Sequence, residues 1–195
     1  MQEKTCHAAF DLGSNTARGI LGRPGDGGVV RVISTDQRMT ALGRGLGDGR
    51  AFDPAALDQT LCFVSDTLER WGRPPHVYAV ATEAARTAIN ADELRTRLLS
   101  EAGVSAQIID AQEEARLAWL GAFAMDPPTA AAHPALVDIG GRSVEAMTQD
   151  DGRLVAISCP LGARSFAESL PESNLPWELF VALHFPVLTV VLRDA

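Results

Sequence analysis

Two short turns in this chain carry residue types that bind phosphate, and each follows an apolar strand. Asp11-Leu12-Gly13-Ser14-Asn15-Thr16 comes behind Ala8-Ala9-Phe10, and Asp138-Ile139-Gly140-Gly141-Arg142-Ser143 comes behind Ala135-Leu136-Val137. A strand ending in Asp, then glycines and a hydroxyl, turns successive backbone N–H groups toward one point. That point is a nest for an anion, with a carboxylate beside it that can hold a divalent cation. Either turn alone is explained equally well by the backbone freedom of glycine and by an Asx-turn role for the aspartate. Their repetition predicts two lobes that face each other across a phosphate-binding cleft.

The elements that must position these turns follow from the pattern around them. Ala17 to Leu21 returns as a strand, Pro24-Gly25-Asp26-Gly27-Gly28 is a turn cluster, and Val29 to Ser34 is a third strand. Ala41-Leu42-Gly43-Arg44-Gly45-Leu46-Gly47-Asp48-Gly49 lacks the spacing and the strand-to-helix setting of a dinucleotide loop and reads as a flexible connector. Asp53-Pro54 starts a helix with apolar residues at Leu57, Leu61, Val64 and Leu68, which stops at Gly72. His76 to Ala81 is a strand. Asn90, with Glu93 three residues on, predicts a capping box for a helix ending at Gly103. Ala106 to Ile109 is a strand, and Asp110 caps a helix to about Met125.

This order, β-β-β-α-β-α-β-α, predicts an α/β lobe with a mixed sheet over residues 1–125. Residues 126–134, rich in proline and alanine, read as a linker. From 135 the chain opens as it did at the start: strand, glycine turn, strand (Val144 to Thr148), Asp150-Asp151-Gly152 turn, strand (Leu154 to Ser158). Residues 135–195 are too few to repeat the whole first lobe, so the second lobe is expected to be partial.

Composition limits the partners. The chain has 195 residues, 46% of them hydrophobic, and a formal net charge of −8. An acidic chain without a basic stripe is a poor nucleic-acid binder, so a phosphorylated ligand would be held by local N–H groups, a few arginines and a metal ion. Cys6, Cys62 and Cys159 are widely spaced and odd in number, which reads as buried, reduced thiols in a reducing compartment. With no signal-peptide pattern and no apolar run long enough to span a bilayer, a cytoplasmic protein without membrane contact is expected. His7, His76, His133 and His184 have no metal-ligand spacing and read as structural or surface residues.

The motifs together resemble the N-terminal part of the exopolyphosphatase/guanosine-pentaphosphate phosphatase (Ppx/GppA) family, in the actin-like ATPase superfamily. Asp11-Leu-Gly-Ser-Asn-Thr16 resembles the family's first phosphate loop, and Leu42-Gly-Arg-Gly-Leu46 its connector. Ala81-Thr-Glu-Ala-Ala-Arg86 resembles the block that brings a threonine and an arginine to the cleft. Glu113-Glu-Ala-Arg116 with Trp119-Leu-Gly121 resembles the helix carrying the catalytic glutamate. Asp138-Ile-Gly-Gly-Arg-Ser-Val-Glu145 and Pro160-Leu-Gly-Ala163 resemble the second phosphate loop and a following segment. Arg142 stands where the family has a third glycine, Val144 where it has threonine, and Asp110-Ala111 where it has a Ser-Gly-like pair. Beyond about Ser169 the resemblance ends.

The resemblance implies an actin-like fold and Mg²⁺-dependent hydrolysis of a terminal phosphoanhydride, in inorganic polyphosphate or guanosine pentaphosphate. It implies Glu114 as the water-activating base; Glu113, third behind Asp110, is accounted for by the helix cap, whereas Glu114 is not, although a first-turn carboxylate also suits the helix dipole. Glu145, on the strand leaving the second turn, would serve water or metal, or lie on a solvated strand face. Alternation puts Ser143 and Glu145 on one face and Val144 on the other. Asp11 and Asp138 would join Glu145 at the metal. Gly13, Ser14, Asn15, Thr16, Thr82, Arg86, Gly140, Gly141, Arg142 and Ser143 would hold phosphate, Arg86 through its guanidinium fork. Arg142 would add a contact or fill the space that glycine leaves for substrate, at a strain cost of about 1 kcal/mol if its φ is positive. Trp119 and Leu120 read as core. Two other readings stay open: a degenerate phosphate-binding or interaction module, and a sugar-kinase-like ATP hydrolase. A longer gene product or a homodimer would complete the second lobe.

Overall fold

The computed structural model describes residues 5–25, 30–46, 50–124 and 134–169. The predicted linker (apart from Pro134), the apolar stretch beyond Ser169, the glycines at 47 and 49, His133 and His184 lie outside them. The chain divides into two units, residues 1–132 and 133–195.

The first unit is built on a five-stranded sheet of order β3-β2-β1-β4-β5. β1 (His7–Leu12), β2 (Thr16–Pro24) and β3 (Val30–Met39) form an antiparallel meander, and β4 (His76–Ala81) and β5 (Ala106–Ile108) run parallel to β1. β3 runs five residues past the predicted Ser34: Thr35-Asp36-Gln37-Arg38-Met39 has no apolar alternation, but it pairs with β2 down to Thr16 as the edge of the sheet.

One face of this meander is buried under α1 (Pro54–Arg70). Asp53 accepts from the N–H groups of Ala55 (2.8 Å) and Ala56 (3.4 Å), Pro54 occupies the first turn, and Gly72 (φ 70°) follows the end, as predicted. Leu57, Leu61, Val64 and Leu68 are buried against Ala8, Phe10 and Leu12 in one core. Phe10 stacks on Trp71 (5.8 Å) and meets Phe63 edge-on (6.1 Å). Gly19 lies beneath this contact; a Cβ there would come within 3.0 Å of both the Phe10 ring and the Trp71 ring, so β2 has a glycine where the helix comes closest. The polar third strand is matched by polar groups on α1: Thr67 Oγ1 and Arg70 donate to Asp36, Arg38 donates to Asp66 (3.3 Å), and Trp71 Nε1 donates to Ser34 (3.2 Å).

β4 leads through a five-residue helix, α2 (Glu83–Thr87), into α3 (Ala91–Arg97), a π-helical turn (Leu98–Ala102) and a left-handed Gly103 (φ 70°). α2 has no counterpart among the elements expected from the sequence. The capping box at Asn90 does not form; its Oδ1 accepts from the Phe52 N–H (2.8 Å) and its amide donates to Glu93 (2.9 Å). A partner 38 residues away takes the group that would have capped α3. α4 (Ala111–Phe123) is capped as expected, Asp110 accepting from the Glu113 N–H at 2.8 Å. Trp119 is core, but Leu120 is half exposed, one helical step away from the buried side. The cysteines are unpaired; Cys62, on the outer side of α1, is exposed rather than buried.

The second unit contains a three-stranded antiparallel sheet, β6 (Ala135–Ile139), β7 (Val144–Asp150) and β8 (Arg153–Cys159), followed by α5 (Ala163–Ser169). Asp151 (φ 45°) and Gly152 (φ 76°) make the tight hairpin turn between β7 and β8. Among the described residues no helix is long and apolar enough to cross a membrane.

Candidate functional site

In the first unit the parallel strands β1, β4 and β5 all end at one edge of the sheet. Leu12 and Ala81 are paired, as are Ala81 and Ile108. The segments that leave these strand ends are Gly13–Thr16, Thr82–Arg86 and Asp110–Glu114, which carry half of the predicted site residues. Ligands of α/β sheets bind outside such carboxyl ends, where successive loops converge.

The first turn is held by its carbonyls. The Asn15 oxygen accepts from the N–H groups of Thr40 (3.1 Å) and Ala41 (3.0 Å), and the Ser14 oxygen from Gly43 (2.7 Å). Two of the donors, Ala41 and Gly43, belong to the glycine-rich connector expected to be flexible. Its described part is instead anchored, with Leu42 and Leu46 buried and Ala41 held at φ 53°. A left-handed alanine costs about 1 kcal/mol, which the three hydrogen bonds and the burial offset. Gly13 is not at positive φ; a Cβ on it would stand 2.9 Å from the Thr16 carbonyl oxygen, so the turn needs glycine for closeness. Thr82 is buried at the head of α2, its carbonyl accepting from Ala85 (2.9 Å) and Arg86 (3.1 Å). Thr40 Oγ1 is also buried and has no hydrogen-bond partner among the described residues.

Arg86 and Glu114 meet here. Arg86 Nη1 donates to Glu114 Oε2 (2.7 Å) and to the Ile109 carbonyl (2.8 Å), while Nε and Nη2 donate to Glu83 Oε2 (3.2 and 2.8 Å). The three side chains are 17–23% exposed. Burial alone would weaken the guanidinium's hold on its proton, but Glu114 and Glu83 outweigh it, and Arg86 is held more firmly cationic than usual. Glu113 points elsewhere, paired with Arg116 at 2.7 Å, which holds its carboxyl below the usual range despite some desolvation. The cap therefore uses only the backbone N–H of Glu113; its carboxylate, expected to complete the cap, is drawn to Arg116 one turn on, and the Arg86 fork engages Glu114. Reasoning from sequence missed Glu83; its only signal was its spacing of three from Arg86 on a helix too short to foresee. Asp11 lies on the opposite face of β1 from the core, 3.8 Å from Arg18 across the β1–β2 ladder.

The second unit repeats the turn. Ile139 and Val144 close it as Leu12 and Ala17 close the first, and a Cβ on Gly140 would stand 3.1 Å from the Ser143 carbonyl oxygen, the counterpart of Gly13 and Thr16. Here the carbonyls are held by α5: Ala163 N–H donates to Gly140 (2.9 Å), and Arg164 (2.7 Å) and Ser165 (3.1 Å) donate to Gly141. Gly162 lies flat on the turn, where a Cβ would come within 2.3 Å of Arg142 N and 2.5 Å of Gly140 O. It was legible only as part of a family-like segment. Arg142 does not adopt positive φ, so the strain considered for it does not arise. Ser143 is buried. Glu145 is 1% exposed and accepts from Ser158 Oγ (2.9 Å), so it is not on a solvated face. Val144, on the other side of β7, is buried as well. Asp138 is the cross-strand neighbour of Glu145.

Among the described residues no three His, Cys, Asp or Glu side chains are grouped to hold a metal ion. Mg²⁺ does not require such a group: it takes one or two carboxylates and completes its shell with water and substrate phosphate oxygens. The hard oxygen donors of Asp138 and Glu145, side by side across β6 and β7, suit that mode.

Residues 23–194 match the model of the Ppx/GppA phosphatase family. The Aquifex aeolicus PPX-GPPA enzyme is 27% identical with a TM-score of 0.76, the match covering 98% of this chain and 64% of that one. An exopolyphosphatase from Cytophaga hutchinsonii superposes with a TM-score of 0.82 at 19% identity, over 97% of this chain and 63% of that one. An exopolyphosphatase-like protein gives 0.83 at 23% identity, over 100% and 62%. The chain therefore spans less than two thirds of the length of these solved structures, and it shares their actin-like ATPase fold. With the two glycine turns, the converging strand ends and the family match over most of its length, this chain belongs to the Ppx/GppA phosphatase family.

Proposed function

We propose that this chain carries a site for Mg²⁺-dependent hydrolysis of the terminal phosphoanhydride bond of inorganic polyphosphate or guanosine pentaphosphate. The observation that carries the proposal is the Arg86–Glu114 contact of 2.7 Å at the edge where the parallel strands end. In this reading the Glu114 carboxylate takes the proton of a water molecule as the water oxygen bonds to the terminal phosphorus. The bridging P–O bond breaks, and inorganic phosphate leaves the shortened chain. Arg86, bonded to Glu114 and to Glu83, fixes the direction of that carboxylate. The backbone of Gly13–Thr16, the Thr82 hydroxyl and the turn Gly140–Ser143 bind phosphate oxygens, Arg142 among them. Asp11, Asp138 and Glu145 supply carboxylates for Mg²⁺, which when bound neutralises phosphate charge.

One observation favours a second reading. Arg86, expected to fork onto phosphate, is bonded to two carboxylates, as it would be in a family member that keeps the fold and binds phosphate without hydrolysis. Phosphate release from long-chain polyphosphate and from guanosine pentaphosphate, each with and without Mg²⁺, separates the two. Mg²⁺-dependent release from either substrate supports the hydrolase and names its substrate. Binding of tripolyphosphate without any release supports the module.

A further inference from the structure

A polyanion that binds where the parallel strands end must find positive charge there. Most of the first unit's arginines are already engaged. Arg86 is held by Glu83 and Glu114, and Arg18 lies 3.8 Å from Asp11. Elsewhere in the unit, Arg38, Arg70, Arg73, Arg95, Arg97 and Arg116 each face a carboxylate. Arg44 differs. It is exposed, and among the described residues its guanidinium has no ion pair and no hydrogen bond. Arg50, also exposed, is placed elsewhere: its carbonyl accepts from the N–H of Ile89, beyond the far end of α2.

The backbone that carries Arg44 is fixed beside the first glycine turn. Gly43 N–H donates to the Ser14 carbonyl (2.7 Å), and Arg44 N–H donates to the Ala41 carbonyl (2.8 Å). Left-handed residues flank it, Ala41 (φ 53°) and Gly45 (φ 64°). A left-handed alanine is strained, and such strain persists where the surroundings over-determine it, chiefly at ligand sites. The Arg44 Cα is about 3.8 Å from that of Gly43, which is itself bonded to the turn, so its long side chain has the turn within reach. The depths also differ. Ser14 and Thr82 are buried, so a terminal phosphate held by them lies deep, whereas Arg44 stands on the rim. Two levels suit two successive phosphates of one chain.

The geometry points to Arg44 as the residue that binds the next phosphate outward from the terminal one. This rests on the phosphoanhydride site proposed above and adds a chain-length preference to it. Ligands with phosphates beyond the terminal group gain the contact, and orthophosphate does not. The guanidinium fork can meet two phosphate oxygens at once. In a chain of net charge −8, an unengaged cation on the rim also draws an approaching polyanion to this end of the sheet.

The test measures binding of tripolyphosphate and of orthophosphate, each with Mg²⁺, by the full chain and its Arg44→Gln and Arg44→Lys variants. Arg31→Gln is the control, because Arg31 is exposed too but lies opposite Arg23, at the far end of the β2–β3 ladder from the turn. Loss of one charge-assisted contact in Arg44→Gln should weaken tripolyphosphate binding about 10-fold or more at low salt. That binding should also become less salt-dependent, with orthophosphate binding unchanged. Arg44→Lys should keep the salt dependence and lose part of the affinity, and Arg31→Gln should match the parent. Tripolyphosphate binding by Arg44→Gln no weaker than by Arg31→Gln, or an equal loss for orthophosphate, would overturn the assignment and leave the proposed site standing. A parent chain that binds no tripolyphosphate would overturn the site itself, and the assignment with it.

Discussion

Substitution of Gly162 by alanine is the sharpest perturbation of the second turn. The added Cβ would stand 2.3 Å from Arg142 N, 2.4 Å from Gly141 C and 2.5 Å from Gly140 O. All three are backbone atoms, so no side-chain rotation relieves the contact. Restoring ordinary separation requires α5 and the turn to part by roughly 1 Å, which lengthens the three bonds from Ala163, Arg164 and Ser165 to the turn carbonyls. Overpacking of this kind costs about 1–3 kcal/mol, and weakening those bonds adds to it. Gly121 supplies the control. It lies inside α4 with nothing within 4 Å of an added Cβ, and alanine there should stabilise by about 0.5–1 kcal/mol. The assay is urea unfolding of the two variants beside the parent chain, with tripolyphosphate affinity measured in parallel. Gly162→Ala should lower stability by at least about 1 kcal/mol and weaken phosphate binding; Gly121→Ala should do neither. A Gly162→Ala chain with parental stability and affinity would refute the claim that α5 clamps this turn through a glycine contact.

Other substitutions probe the first unit. Arg86→Lys replaces a fork with a point charge that cannot hold Glu83, Glu114 and the Ile109 carbonyl together; phosphate release should fall about 10²-fold from misplacement of Glu114, with the far-ultraviolet circular dichroism unchanged. Burial tends to raise the Asp36 carboxyl, but bonds from Thr67 and Arg70 outweigh it and hold the group below its usual range. A depressed carboxylate stabilises above its unfolded pKa of about 3.9 and loses that contribution as pH falls through the lower folded value. Asp36→Asn should therefore cost about 1 kcal/mol at pH 7 and show a shallower acid loss in unfolding titrations. Asp53→Ala removes the acceptor for Ala55 and Ala56 at the head of α1 and should lower the unfolding free energy by about 1 kcal/mol.

Much of the fold was legible because it is written in local chemistry. Asp53 and Asp110 cap the helices they were expected to cap, and both glycine turns lie between the strands that flank them in sequence. What failed depended on partners distant in sequence. Asn90 loses its capping role to Phe52, β3 is extended by pairing with β2 rather than by its own pattern, and the connector at Ala41–Leu46 is fixed by the carbonyls it laces. In the candidate site, Glu114 stood out because the cap did not need it, and the structure gives it a separate partner. Glu83 and Gly162 escaped because the value of each lies in what it touches, a guanidinium in one case and a turn backbone in the other. Glu145 carried a signal in its spacing from Asp138, but its burial could not be read from the sequence because its ladder partners, Asp138 and Ser158, are both polar.

The measurement that bears most directly on the proposed hydrolase is phosphate release from long-chain polyphosphate with Mg²⁺ by the chain and its Glu114→Gln variant, with tripolyphosphate affinity recorded for both. The amide introduced by Glu114→Gln keeps the shape and an acceptor oxygen for Arg86 but cannot take a proton from water. Release should fall about 10²–10⁴-fold, while affinity stays within a small factor of the parent. Release by Glu114→Gln at the parental rate, or none by the parent chain itself, would contradict the account.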